Sequence, residues 1–136
     1  MDIDHNIKKE VIIDGNDFSN LSEFYDEVEK KLTKNLGWKI GRNLDAYNDV
    51  LRGGFGVYEY GEQIRLVWKN SIKSRKDLGY PETIRFKEEV LLSCHPSNKL
   101  DVRSEIQSLK ENRGETLFEI ITSITRSHAH IEFLTE

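Results

Sequence analysis

The chain has 136 residues, a formal net charge of -4 at neutral pH and a single cysteine, Cys94. That length suits one domain with one substantial core, and the interspersed signs of its 32% charged residues exclude a disordered acidic tail. The acidic balance disfavours direct nucleic-acid binding, the lone cysteine rules out an internal disulfide, and no apolar run approaches bilayer length.

The start, Met1-Asp2-Ile3-Asp4-His5, lacks the basic and apolar regions of a signal peptide, so a cytoplasmic protein is expected. Residues 1–8 read as a polar tail leading into a first strand at Glu10 to Ile13, and Asp14-Gly15-Asn16 is turn chemistry. Ser19 or Asn20 caps a helix in which Leu21, Phe24, Val28 and Leu32 recur at helical spacing, with Tyr25 on the flank. Its opposite side, with Glu23, Glu27, Lys30 and Lys31, is read as solvated, and Leu36-Gly37 ends it.

Gly37-Trp38-Lys39-Ile40-Gly41 then makes a loop suited to carrying exposed side chains. Asn43 is the N-cap of a second helix whose Leu44, Tyr47 and Leu51 share a buried side. Asp45 and Asp49 lie four residues apart on an adjoining, wetter side. Like charges at that spacing cost the helix roughly 0.2–0.5 kcal/mol, a penalty that calls for a reason. The helix dipole favours Asp45 in the first turn, but it does not reach Asp49.

Arg52-Gly53-Gly54-Phe55-Gly56 breaks regular structure, without the lysine and following helix of a phosphate-cradling P-loop. Tyr58, Glu59, Tyr60 and Glu62 read equally as an interface edge or as a lead-in to a buried strand at Ile64 to Trp68, with Trp68 in the core. Asn70-Ser71 caps a short helical turn exposing Lys73, Arg75 and Lys76. Tyr80-Pro81-Glu82 starts another helix, with Ile84, Val90 and Leu91 facing the core, and His95-Pro96-Ser97-Asn98 stops it. Cys94 beside His95 is read as structural, because adjacent side chains diverge. Val102, Ile106 and Leu109 stripe a helix from Leu100 to Lys110, closed by Asn112-Arg113-Gly114. Thr116 caps a last helix carrying Leu117, Ile120, Ile121 and Ile124. His128 and His130 precede a final strand and are read as ordinary surface histidines, since no carboxylate or cysteine pattern supports a metal site. No cofactor motif emerges.

Strands separated by helices predict a small layered α/β domain with a short, mainly three-stranded parallel sheet. The run Gly41-x-Asn43-Leu44-Asp45-Ala46-x-x-Asp49-x-Leu51 resembles the core motif of the barstar family of intracellular ribonuclease inhibitors. Val11 to Gly15, Phe18 to Leu36, Ile64 to Trp68, Thr116 to Arg126 and Ile131 to Leu134 resemble that family's first strand, first helix, second strand, last helix and last strand. The resemblance implies a single domain over 1–136, with an expanded helical region at 71–114.

It also implies a partner, a cognate ribonuclease or ribonuclease toxin with a basic active site, blocked by an acidic helix that mimics RNA phosphates; neither a membrane nor direct nucleic acid is involved. The contact residues so implied are Trp38, Lys39, Gly41, Asn43, Asp45, Tyr47, Asn48 and Asp49, with Asp49 as the deepest anion. The chain departs from the family pattern at Lys39 and Ile40, where tyrosines are expected, at Asn48, where an aromatic residue is expected, and at Ser123, where an acidic contact is expected. A scaffold binding some non-nuclease partner is the alternative reading. An enzyme using Asp45 and Asp49 as an acid/base pair is a weaker one, because no nucleophile, metal set or cofactor motif accompanies them.

Overall fold

Three strands, β1 (Lys9–Asp14), β2 (Ile64–Lys69) and β3 (Ile131–Thr135), pair in that order, and both pairings are parallel. The computed structural model describes residues 8–136; the rest of the polar tail expected over residues 1–8 lies outside the described residues. Parallel neighbours need crossovers rather than tight turns, and the helices supply them. Between β1 and β2 run α1 (Leu21–Leu32) and α2 (Leu44–Leu51); between β2 and β3 run α3 (Ser71–Asp77), α4 (Tyr80–Ser93), α5 (Lys99–Lys110) and α6 (Leu117–Arg126). The protein is thus a small α/β domain with a three-stranded parallel sheet, as the alternation of element types predicts.

The period of two along each strand sorts its side chains onto two faces. Val11, Leu66 and Phe133 stand in one row across the sheet, and these residues join Ile13, Ile64, Trp68 and Ile131 in the apolar cluster shared with the helices. On the other face Glu10, Arg65 and Glu132 form a row of alternating charge, with Arg65 Nε 2.8 Å from Glu132 Oε1. Trp68 occupies the centre of the core. Its ring stacks on Phe24 at 5.5 Å and meets Phe18 and Phe118 edge-on, while its indole N–H donates to Ser74 Oγ at 2.9 Å. No helix among the described residues is long and apolar enough to cross a membrane.

Side-chain caps start three of the six α-helices among the described residues. Asn20 Oδ1 caps α1, Asn43 Oδ1 caps α2, and Thr116 with Glu119 forms a complete capping box on α6. Helix α1 ends at Leu32, four residues short of the expected end at Leu36. The reason is tertiary: Thr33 bridges to Gly56, and the Lys34 N–H donates to the Phe55 carbonyl, so the loop after α2 takes the backbone groups that a further helical turn would use.

Three further expectations need correction. Glu27 is buried, not solvated; its carboxylate accepts from the Asp14 N–H at 2.9 Å and from Lys31 Nζ at 3.1 Å, tying α1 to the end of β1. Lys73 is not part of a free basic face, because its ammonium donates to the Gly15 and Phe18 carbonyls. Ile84, Val90 and Leu91 are only half-buried, since α4 packs mainly against α5 at the edge of the domain. The residue of α4 that goes inside is Thr83, whose hydroxyl accepts from the Leu117 N–H and donates to the Gly79 carbonyl. The region expected to be expanded, 71–114, thus holds α3 and an α4–α5 hairpin.

Candidate functional site

Helix α2 is eight residues long and fixed at both ends by distant parts of the chain. At its start, Arg42 pairs with Asp26 at 3.0 Å, donates to the Ser22 carbonyl and lies over the Tyr25 ring, which clamps the approach to α2 onto α1. Along its inner side Tyr47, Val50 and Leu51 are buried. At its far end the ring Nε2 of His130 lies 2.9 Å from the Leu51 carbonyl, and that of His128 lies 2.8 Å from Asn48 Oδ1. A carbonyl oxygen only accepts, so His130 carries its proton on Nε2. The same tautomer suits His128. Burial, the neighbouring His130 and Arg52 together hold His128 below the ordinary histidine pKa.

The outer side of α2 presents the two aspartates. Asp45 is exposed in the first turn, where the helix dipole favours it. The Asp49 side chain is 62% exposed and pairs with Arg52 at 2.8 Å, one turn further on. Like-charge repulsion within the pair is therefore relieved by a cation that the sequence places three residues beyond Asp49.

The loop before α2 adds Trp38, 60% exposed and edge-on to Phe55, and exposed Lys39 and Gly41. Ile40, between them, is buried and pins the loop to the core. After α2, Gly53 takes a φ of +94°, and a Cβ there would meet the Glu59 carbonyl at 2.3 Å, so the chain must turn tightly at that glycine. Tyr58 is buried with its hydroxyl on the Leu51 carbonyl at 2.9 Å, whereas Tyr60 stands 75% exposed. The loop thus leads into β2 with Tyr58 in the core and Tyr60 at the surface.

Of the residues expected at a contact face, Trp38, Lys39, Gly41, Asp45 and Asp49 are each exposed, the first three on the loop before α2 and the two aspartates on the helix itself. Tyr47 is not among them. It is 1% exposed, its hydroxyl lies 2.7 Å from Thr125 Oγ1, and burial pushes its pKa well above the ordinary tyrosine value. Asn43 directs its side-chain oxygen to the Ala46 N–H, and Asn48 is held by His128, so both shape the helix as well as lining its surface. Ser123 is exposed on α6.

Sequence reading missed Arg52, His128 and His130 as parts of this region. The histidines are half-buried anchors of α2 rather than ordinary surface residues. Their spacing of two was visible, but their neighbour in space lies about 80 positions away, and only the pairing of β3 with β2 brings them there.

Two clefts flank the helix. One, of about 410 Å³ at its N-terminal end, is lined by Tyr25, Arg42, Asp45, Arg85, Phe86 and Glu89, so α4 borders the acidic face. The other, of about 440 Å³ at its C-terminal end, is lined by Asn48, Arg52, Tyr60, Ser127, His128 and His130.

No curated protein matches the chain. A family model does: residues 8–92, more than half of the sequence, match the family described as Barstar (barnase inhibitor). The match runs from β1 into α4 and contains all of α2 and the loops on either side of it. The exposed acidic helix and the parallel sheet that carries it are therefore those of a member of the barstar family, the family of barnase inhibitors, to which this chain belongs.

Proposed function

We propose that the protein inhibits a cognate ribonuclease by filling its active site with the outer face of α2, where Asp45 and Asp49 stand in for RNA phosphates. The reading rests on one observation above others. Both carboxylates project from the exposed side of a short helix whose opposite side is locked into the core. A fixed pair of anions loses little freedom on binding, and a basic nuclease cavity is the complementary surface. Asp49 is the deepest contact, Asp45 the second, and Trp38, Lys39, Gly41, Asn43 and Asn48 form the surrounding surface that excludes water. Exclusion matters because exposed ion pairs contribute little, whereas desolvated and well-matched ones decide affinity. On this reading the protein acts in the cytoplasm as the immunity partner of a ribonuclease toxin, and it performs no catalysis of its own.

The test is inhibition of RNA cleavage by barnase and by a panel of small ribonucleases with basic active sites, titrated with wild type and Asp49→Ala. Stoichiometric inhibition by wild type, slowed in onset by salt and largely lost in Asp49→Ala, is the expected result. Equal inhibition by both proteins would remove Asp49 from the mechanism, and inhibition of none of the panel would count against the reading as a whole.

A further inference from the structure

The cleft at the C-terminal end of α2 has a polarity opposite to the acidic face it adjoins. Arg52 lines it, and none of the residues lining it is a carboxylate. The Asn48 side-chain oxygen already accepts from His128, which leaves the amide N–H groups of Asn48 as the free pole, and the exposed Tyr60 lines the same cleft. The cleft therefore offers a guanidinium, an amide and a phenol to one acceptor group. Arg52 also carries the internal ion pair with Asp49 at 2.8 Å, and both side chains are about half exposed or more.

An exposed pair of this kind is weak and easily exchanged. Once a partner covers the helix the same two charges become dry, and each then needs a close counter-charge. A uniformly cationic cavity would satisfy Asp49 and leave Arg52 facing like charge. A cavity that places a carboxylate beside its cations would satisfy both.

Resting on the inhibitor reading above, we propose that this cleft is a second contact subsite that receives a carboxylate side chain of the partner ribonuclease. Arg52 moves from Asp49 to that carboxylate while Asp49 takes a cation of the partner, so one internal ion pair is exchanged for two intermolecular ones. Arg52 is then a specificity determinant, which rejects nucleases lacking an acidic group next to the basic subsite. An RNA phosphate is the less suitable occupant, because Asp45 and Asp49 lie alongside and the net charge of the chain is -4.

The experiment is calorimetric titration of wild type, Arg52→Ala, Arg52→Lys and Asp49→Ala against barnase and every other panel ribonuclease that wild type inhibits, with urea midpoints confirming that each variant folds. Arg52→Ala is expected to weaken binding at least tenfold and Arg52→Lys to stay within about threefold of wild type. Replacing in turn the carboxylates around the nuclease active site by amides is expected to yield one variant that reproduces this loss and makes Arg52→Ala silent. Unchanged or tighter binding by Arg52→Ala, with Asp49→Ala still disabling, would show that Arg52 merely masks Asp49; the subsite would fall and the inhibitor reading would stand. Binding of a fluorescent RNA oligonucleotide by wild type and not by Arg52→Ala would equally overturn the protein carboxylate as occupant. If wild type binds no ribonuclease of the panel, the functional reading fails and takes the subsite with it.

Discussion

The hydroxyls of Tyr47 and Thr125, 78 positions apart in the sequence, share a buried hydrogen bond of 2.7 Å. Thr125 also donates to the Ile121 carbonyl, so the shared proton belongs to Tyr47. The two deletions are therefore unequal. Tyr47→Phe removes a donor and leaves Thr125 satisfied, at a cost of about 1 kcal/mol. Thr125→Val strands a buried phenol and is expected to cost more, about 1–3 kcal/mol. Urea unfolding of the two variants checks the order, and Tyr47→Phe is expected to leave the outer face of α2 unaltered.

The acidic pair separates stability from recognition. Asp45→Ala removes a first-turn carboxylate from the helix dipole and is expected to lower stability by about 0.3–1 kcal/mol. Asp49→Ala loses only an exposed pair with Arg52 and is expected to shift stability by less than about 0.5 kcal/mol in either direction. On the inhibitor reading its effect on inhibition is expected to be of another order, a loss of about a hundredfold or more, as follows when a buried counter-charge is left unpaired in a complex. Thermal melts and inhibition titrations on the same preparations test the contrast.

Acid pH acts on the histidine that holds Asn48. Because the pKa of His128 in the fold lies below its ordinary value of 6.5, the unfolded chain takes up its proton first as the pH falls. The contribution of this group is complete above pH 6.5 and is lost as the pH falls from there through the lower folded value. Glu82, where partial burial is outweighed by the bonds from Arg85 and the Leu21 N–H and the carboxyl is held low, starts to lose its contribution only below its own ordinary value of 4.5. Stability followed against pH should therefore begin to fall as the pH drops below 6.5, before any carboxylate contributes to the loss, and His128→Gln should remove this early part of the fall.

Glu27 supplies a fourth expectation. Glu27→Ala leaves the Asp14 N–H without its acceptor, takes from the Lys31 ammonium its carboxylate while the Ile12 carbonyl remains, and is expected to cost about 1–3 kcal/mol. Glu27→Gln keeps one acceptor oxygen and is expected to cost less. Chemical denaturation distinguishes the two.

These contrasts trace what could be read from residue order alone. Asn43 before Leu44-x-x-Tyr47, the β-branched run at Val11 to Ile13 and the buried quality of Ile64 to Trp68 are local signals, and each fixes its element within a residue or two. The end of α1, the burial of Glu27 and the anchoring role of His128 and His130 depend on partners that only the folded topology provides: Gly56 for Thr33, Asp14 for Glu27, and Asn48 and Leu51 for the histidines. The candidate face divides in the same way. Asp45 and Asp49 declare themselves by helical spacing, and the same spacing puts Tyr47 on the buried side, where it meets Thr125; only the family resemblance places it among the contacts.

An isolated helix of eight residues does not persist in water. Helix α2 keeps its shape because residues made long after it, His128, His130 and the strand that follows them, close on it from behind. A ribosome that has delivered everything up to Arg126 has produced the acidic segment but not its final support. Binding competence on the inhibitor reading thus arrives only after residues 128–135 are free to dock, and a proteolytic cut after Arg126 would disarm the molecule while leaving Asp45 and Asp49 intact.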